Sequence, residues 1–371
     1  MSEKVLRVLA VADPAVTAYT DKRFGILENY PDKVQFDAVP WERYYSTMMD
    51  VFAGKAQYDI VMVAGHLWLC DFVRKGYLAE LSYDFEDILP VIAAEMQYEG
   101  KTYLSPSFCD GHIVTYRKSA LKKVLGRTFD NMITPQEFAE AAYLLAKETG
   151  KPAVALKASV AEIFTDALPF LRMNGVDPYC GTKADCNRKE VIEGLEAYCG
   201  LKKIALAGCD TFGNDEVAAA IRENKVPLAT TWSGQMGVVY TDDCVQKEDI
   251  GFAAFTTGWN VSWSFAVSQN STQKKEAEKF LAFLRSPQVD KIAGNVSGSP
   301  VRLCNYKAED DEHPWYACQL KMFEKAAPLP DMPFAGDKNG IFYQEISNAF
   351  TGKKTPAQAM KDAQEAINRI E

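Results

Sequence analysis

One cluster in the chain has the residue types of a nucleophile with its base, Cys109-Asp110-x-His112. A thiolate that attacks carbon needs a proton acceptor within hydrogen-bond reach and a third group to orient that acceptor. Strand neighbours two or three apart do not automatically meet, so the spacing alone makes no dyad. The three His (66, 112, 313) are not spaced as metal ligands, and the nine Cys are scattered without a C-x-x-C pair. A zinc site is therefore not expected. No P-loop, G-x-G-x-x-G, G-x-S-x-G or kinase signature occurs, so no nucleotide cradle or serine elbow is expected, and no cofactor is implied. Paired carboxylates for glycoside cleavage stay open, because 50 acidic residues are too many to point anywhere.

Aromatic residues say more. They make up 12% of the chain, and Trp41, Trp68, Trp232, Trp259, Trp263 and Trp315 fall near strand ends or loops. Flat rings beside Asp and Asn describe a sugar site, where a ring stacks on a pyranose while carboxylates and amides take its hydroxyls. In Trp259 to Ser268 large apolar residues alternate with small or polar ones over ten positions. That period of two predicts a strand with one greasy face and one small or polar face.

The elements around these residues read as α/β. Val5 to Val11 is a nearly continuous apolar run, as in a strand covered on both faces. Strands follow at Val34 to Ala38 and Tyr58 to Val63, separated by a helix from about Arg43 to Phe52 that stops at Gly54. Glu99-Gly100 reads as a hairpin turn, and His112 to Tyr116 as the next strand. Thr134-Pro-Gln-Glu137 is a capping box opening a helix that ends at Gly150. Further helices are expected at Phe164 to Asn174, Arg188 to Ala207 and Glu216 to Asn224, with strands at Ala153 to Leu156, Pro227 to Thr231 and Ile250 to Phe255. Ala277, Phe280, Leu281 and Leu284 form an amphipathic stripe that Ser286-Pro287 ends. Gly294 to Pro300 then reads as a loop, Glu309 to Glu312 as a solvated acidic patch, and the last 55 residues as helical.

At 371 residues the chain is long enough for two cores. A net charge of −9 argues against nucleic acid or an anionic membrane face as partner. Cys180 with Cys186 could bridge a loop, but an odd cysteine count argues against a full disulfide framework. The chain opens Met-Ser-Glu-Lys into a strand, which reads as a cytosolic protein or one whose export segment is missing from the sequence.

The order of these pieces resembles the extracellular solute-binding proteins of ABC importers, the carbohydrate-type family that includes maltose-binding protein. Tyr58-Asp-Ile-Val-Met-Val63 and Lys75-Gly-Tyr-Leu-Ala-Glu-Leu81 are similar to that family's first lobe. Gly100 to Pro106 with Thr115-Tyr-Arg-Lys118 resembles its first crossing, and Trp259 to Pro287 its return. The tail from Pro330-Asp-Met-Pro333 to Gln364 is similar to the family's C-terminal helices. The resemblance implies a two-lobed α/β periplasmic-binding-protein fold of type II. Its first lobe would hold 1–112 and 262–312, its second 113–261 and 313–371, with a hinge near 110–116, 257–264 and 305–318. Carried over by position, the ligand-facing residues are His66, where the maltose binder has an acid; Asp110; Phe164 and Asp166 beside Thr165; Trp232; Trp259 with Asn260; and Phe342 with Tyr343. Trp68 joins them from the aromatic reading.

The implied function is capture of a carbohydrate, with oligosaccharides favoured, and its delivery to a membrane permease by a monomer that breaks no bond. The implied location is extracytoplasmic, as a cell-surface lipoprotein or a periplasmic protein. Two rivals remain. Thiamine-degrading cysteine transferases share the fold and place a Cys just before a Tyr-Arg-Lys strand end. Here Cys109 is one residue off that spacing, and Thr231 to Met236 lacks their acid. A binder of a polyamine or phosphodiester would need more acids, or more Arg and backbone donors, respectively.

Overall fold

The computed structural model describes residues 5–297, 299–306 and 312–370. The chain packs as two compact units, residues 1–110 with 261–307, and residues 111–260 with 308–371. No helix among the described residues is long and apolar enough to cross a membrane.

In the first unit the strands Val34–Val39, Leu6–Val11 and Ile60–Ala64 lie side by side in that order, all parallel. The strand Asn260–Val267 returns antiparallel to them, pairing Trp263 with Ala64 and Val267 with Ile60. Its small face is buried as well as its greasy one: the Ser264 hydroxyl packs 3.3 Å from the Met96 sulfur. Short side chains on that face let the neighbouring chain approach. The helix Trp41–Phe52 covers the sheet, and the Tyr44 hydroxyl accepts from the Met62 N–H at 2.8 Å while lying near the Leu9 and Met62 carbonyls. Glu99 and Gly100 both take positive φ and join Gln97–Tyr98 to Lys101–Thr102, the turn that a right-twisted hairpin favours.

The stripe Ala277, Phe280, Leu281 and Leu284 is buried on the helix Lys274–Leu284. Pro287 corrects the sequence reading at this point. It opens a further helix, Pro287–Ser297, so the expected loop begins inside a helix. Pro lacks only an N–H that the first turn leaves unused, so it starts a helix as readily as it stops one. A Cβ on Gly294 would lie 2.5 Å from the Pro300 Cβ, so a bare residue is required for the chain after the helix to fold back.

In the second unit the strand order is Val154–Ala155, Leu228–Trp232, the later part of Ser105–Arg117, Ile250–Phe255 and Met132–Ile133. The central strand begins seven residues before the expected His112, and all thirteen of its residues are buried. The Thr134–Glu137 capping box forms, and its helix Pro135–Thr149 ends on Gly150 at φ 65°. Two helices end earlier than expected, at Leu171 and Gly200; the second continues as a tighter turn to Ile204. The tail is helical at Tyr316–Lys325, Ala335–Phe350 and Pro356–Ile367. Between the first two of these the chain is irregular, where Pro328, Pro330 and Pro333 remove backbone donors. All nine cysteines are free; the Cys186 thiol donates to the Met360 carbonyl at 3.2 Å, so no bridge to Cys180 forms. Of the acidic patch, Glu309 to Asp311 lie outside the described residues.

Gly194 sets how closely the helix Lys189–Gly200 meets Ile163–Leu171, which carries Phe164 and Asp166. A Cβ there would overlap the Phe170 carbonyl oxygen and come within 3.0 Å of the Leu171 Cα. Backbone atoms cannot step aside, so Gly194→Ala is expected to destabilise this unit by about 1–3 kcal/mol. Its melting transition should fall by roughly 2–4 °C per kcal/mol lost. A thermal melt unchanged from wild type would show that the helices can slide apart at no cost.

Candidate functional site

In open α/β sheets ligands gather beyond the carboxyl ends of the parallel strands. Three such ends in the first unit carry polar or aromatic residues. Leu6–Val11 leads to Asp13, Val34–Val39 to Trp41, and Ile60–Ala64 to His66 and Trp68. The sequence reading passed over Asp13, although Asp13-Pro14 directly after a strand is a helix-start signal. Its carboxylate accepts the Ala15 N–H at 2.8 Å, and burial pushes its pKa up to about 7. Burial drives His66 the other way, to about 3, so its imidazole is neutral. Trp68 is only 8% exposed, sandwiched among Trp41 (5.7 Å, 23°), Phe72 (6.0 Å, 18°) and the edge of Trp263 (6.3 Å).

Asp110 is buried at the end of this unit's share of its strand. Its neighbour Cys109 makes no dyad with His112. The thiol donates to the Pro300 carbonyl at 3.4 Å and lies 3.8 Å from the Tyr306 hydroxyl. Burial raises its pKa well above the ordinary thiol value, so no thiolate is available at neutral pH.

In the second unit Trp232 is the centre of a polar and aromatic cluster. His112 stacks on its ring at 4.3 Å and 21°, and Trp259 meets it edge-on at 5.3 Å. Its indole N–H donates to Glu162 at 3.1 Å. The ammonium of Lys157, a side chain with no exposed surface, lies 4.2 Å over the ring and 3.5 Å from the same Glu162 carboxylate. His112 accepts the Trp259 indole N–H on Nδ1 at 3.3 Å. Burial, then the nearby Lys157, lowers its pKa well below the usual value, so the ring is neutral and its proton sits on Nε2. That nitrogen is 3.9 Å from Asp166.

Asp166 faces inward. One oxygen accepts from Thr230 at 2.7 Å, the other from the Tyr198 hydroxyl at 2.8 Å and the Lys157 N–H at 3.2 Å. Burial raises its pKa despite these bonds. Phe164 and Phe342 are fully buried and stacked on each other at 4.7 Å, with half-buried Tyr343 against Phe164 at 5.5 Å. The structure thus brings Trp232 to Trp259 and its neighbour Asn260, and gathers Phe164, Phe342 and Tyr343 into a separate group. Asp166, Phe164 and Phe342 are engaged within the core of this unit. Lys157 and Glu162 were missed, and nothing in their sequence context marks them. Among the described residues no group of His, Cys, Asp and Glu could hold a metal ion.

The chain belongs to the bacterial extracellular solute-binding protein family, which matches residues 11–291. Solved structures share the periplasmic-binding-protein fold across the whole chain. Maltose-bound MalE3 of T. maritima is 19% identical, covering 99% of this chain and 100% of that one, with a TM-score of 0.87. The GacH receptor of Streptomyces glaucescens GLA.O, solved unliganded and with acarbose, is 19% identical over 98% and 97%, with a TM-score of 0.82. A ribitol complex of an ABC transporter solute-binding protein from Agrobacterium radiobacter K84 is 17% identical over 99% and 98%, with a TM-score of 0.84.

The raised pKa of Asp13 has a signed consequence. Its carboxyl binds a proton more tightly folded than unfolded, so its contribution to stability is complete below about pH 4 and is lost as pH rises through about 7. Asn caps the helix equally well without titrating. Asp13→Asn should therefore gain thermal stability relative to wild type between pH 4.5 and pH 8. An equal difference at both pH values would show that Asp13 titrates normally.

Proposed function

We propose that this protein is the substrate-binding component of an ABC importer that captures a carbohydrate, an oligosaccharide in preference to a single sugar, and hands it to a membrane permease. One observation carries the reading: the second unit fixes the Trp232 ring against His112, Lys157 and Glu162, while the first presents Asp13 and His66 just beyond the ends of two neighbouring parallel strands. Ring faces suit the C–H faces of a pyranose, and the polar groups suit its hydroxyls. Relatives of the same fold are described with maltose, acarbose, D-mannitol and cycloalternan.

In this reading His66 and Asp110 act from the first unit, and Trp232, Asn260 and Tyr343 from the second. Trp68, Phe164, Asp166, Trp259 and Phe342, all buried, hold those residues in place. The segments 110–116 and 257–264 bend as the units close on the sugar, and closure is what the permease reads; the third expected hinge, 305–318, includes 307–311, which lie outside the described residues. The protein works as a monomer outside the cytoplasm, anchored as a lipoprotein or free in the periplasm. It breaks no bond, and the thiol of Cys109 supports that reading: it is buried and neutral, with its hydrogen donated to a carbonyl.

A ligand at a hundredfold excess over Kd adds about 2.7 kcal/mol to the folded state. With 371 residues at roughly 2.1 cal/mol/K each, the expected rise in Tm is some 3 to 4 °C. A screen of mono- to tetrasaccharides of glucose, mannose, galactose and xylose should give that rise, and spermidine, glycerol phosphodiesters and thiamine should not. A shift with a polyamine or phosphodiester and none with any sugar would overturn the carbohydrate assignment. Cys109→Ser should leave affinity within about threefold, whereas Trp232→Ala should weaken binding by about 2 kcal/mol or more, as truncation of a buried aromatic anchor does. Turnover of thiamine that Cys109→Ser abolishes would restore the enzyme reading.

A further inference from the structure

Trp68 was expected to face ligand, yet its ring is already covered by the protein. The surface left open is the next layer out. Trp41 and Tyr45 are 44% and 45% exposed and stand four residues apart at the start of the helix Trp41–Phe52, on one side of it. Trp68 backs both, at 5.7 Å from Trp41 and 5.5 Å from Tyr45, and Trp263 meets Trp41 edge-on at 5.8 Å.

Two features make this a prepared surface rather than stray exposure. First, a parallel stack at 23° fixes the Trp41 ring from one side and leaves the other open, so a partner meets a plane that loses little freedom on binding. Second, its place is the carboxyl end of Val34–Val39, beside the ends that present Asp13 and His66, the edge where an open α/β sheet binds small molecules. The residues between the rings also exclude a wide greasy interface. Glu42, Arg43 and Ser46 are exposed around Trp41 and Tyr45, so apolar faces alternate with groups that bond hydroxyls. A pyranose presents that same combination, an apolar C–H face ringed by hydroxyls.

We infer that Trp41 and Tyr45 form an outer subsite that stacks an additional ring of a linear oligosaccharide, with Trp68 as its support. The inference rests on the carbohydrate reading above and deepens it, because it makes chain length a determinant of affinity. A monosaccharide or disaccharide lying deeper in the site would leave these rings wet. A chain of three or more rings would cover them.

The test is calorimetric titration of the intact protein, freed of bound ligand, with linear series of two to five rings: α-1,4-glucans, β-1,4-glucans, β-1,4-xylans and β-1,4-mannans. In the series that wild type binds, affinity should climb about tenfold or more from two rings to four, roughly the effect of one well-placed anchor. Trp41→Ala and Tyr45→Ala should flatten that climb while leaving the disaccharide within about twofold, and Trp41→Phe should recover most of it. Thermal melts of each variant separate a lost subsite from a lost fold. Equal losses at every length, or a wild-type affinity indifferent to length, would overturn the outer subsite and leave the carbohydrate reading intact. Failure of wild type to bind any of the four series, or a β-1,4-galactan series titrated beside them, would overturn both.

Discussion

A chain that leaves one folded unit and later returns to it must do so without stranding buried backbone groups. Each buried N–H and C=O needs a partner, so a buried connection has to be a strand in a ladder rather than a loop. Ser105–Arg117 answers that constraint. All of it is buried, and the boundary between the units falls inside it, after Asp110. Its first part is tied into its own unit by Ser107 to Tyr19 at 2.8 Å and by Ser105 to Arg285 at 2.9 Å. Its later part pairs from His112 to Tyr116 with Trp232 to Leu228. Asn260–Val267 spans the second boundary in the same manner. The residues flanking these boundaries, Asp110, His112 and Asn260, are therefore held on strands, with Trp259 immediately before one, and strands place side chains more exactly than loops do.

The second unit spends its buried charge on holding one indole. Lys157 has no exposed surface, and its cost of burial is offset by Glu162, by Asn214 at 3.4 Å and by the Trp232 ring. Glu162 takes the indole N–H as well, so ring plane and ring rotation are both set. Asp166 performs the same service one layer deeper, fastening Thr230 of the Trp232 strand to Tyr198 and to the Lys157 backbone. Under the proposed function this arrangement is preorganisation: the ordering is done at folding, and less would be left to lose on binding a ligand.

The features legible in the sequence are the local ones. The Thr134–Glu137 box, the Glu99-Gly100 turn and the helix stops at Gly54 and Gly150 depend on residues within four positions of each other. The apolar runs at Leu6–Val11 and Ile60–Ala64 reported parallel strands because burial on both faces leaves no room for polar alternation. What resisted reading depends on distant partners. Asp166 resembled a ligand contact by position, but three donors from three segments claim it. Phe342 has the residue type of a stacking side chain, but Phe164, from a distant helix, lies against its ring at 4.7 Å. Trp68 was singled out as an aromatic near a strand end, yet the ring in front of it, Trp41, comes from another helix. Pro287 could end one helix or begin the next, and only the packing of Pro287–Ser297 decides.

The proposed function has one central claim, that a single carbohydrate engages residues of both units. Amide hydrogen exchange of the ligand-free protein, with and without a saturating oligosaccharide from the thermal screen, tests it directly, because bound segments open less often. The account predicts slowed exchange in the first unit at 12–16, 40–45 and 64–69, together with slowed exchange in the second at 111–114, 230–234 and 257–260. Protection confined to one unit, at a concentration that saturates binding, would contradict it.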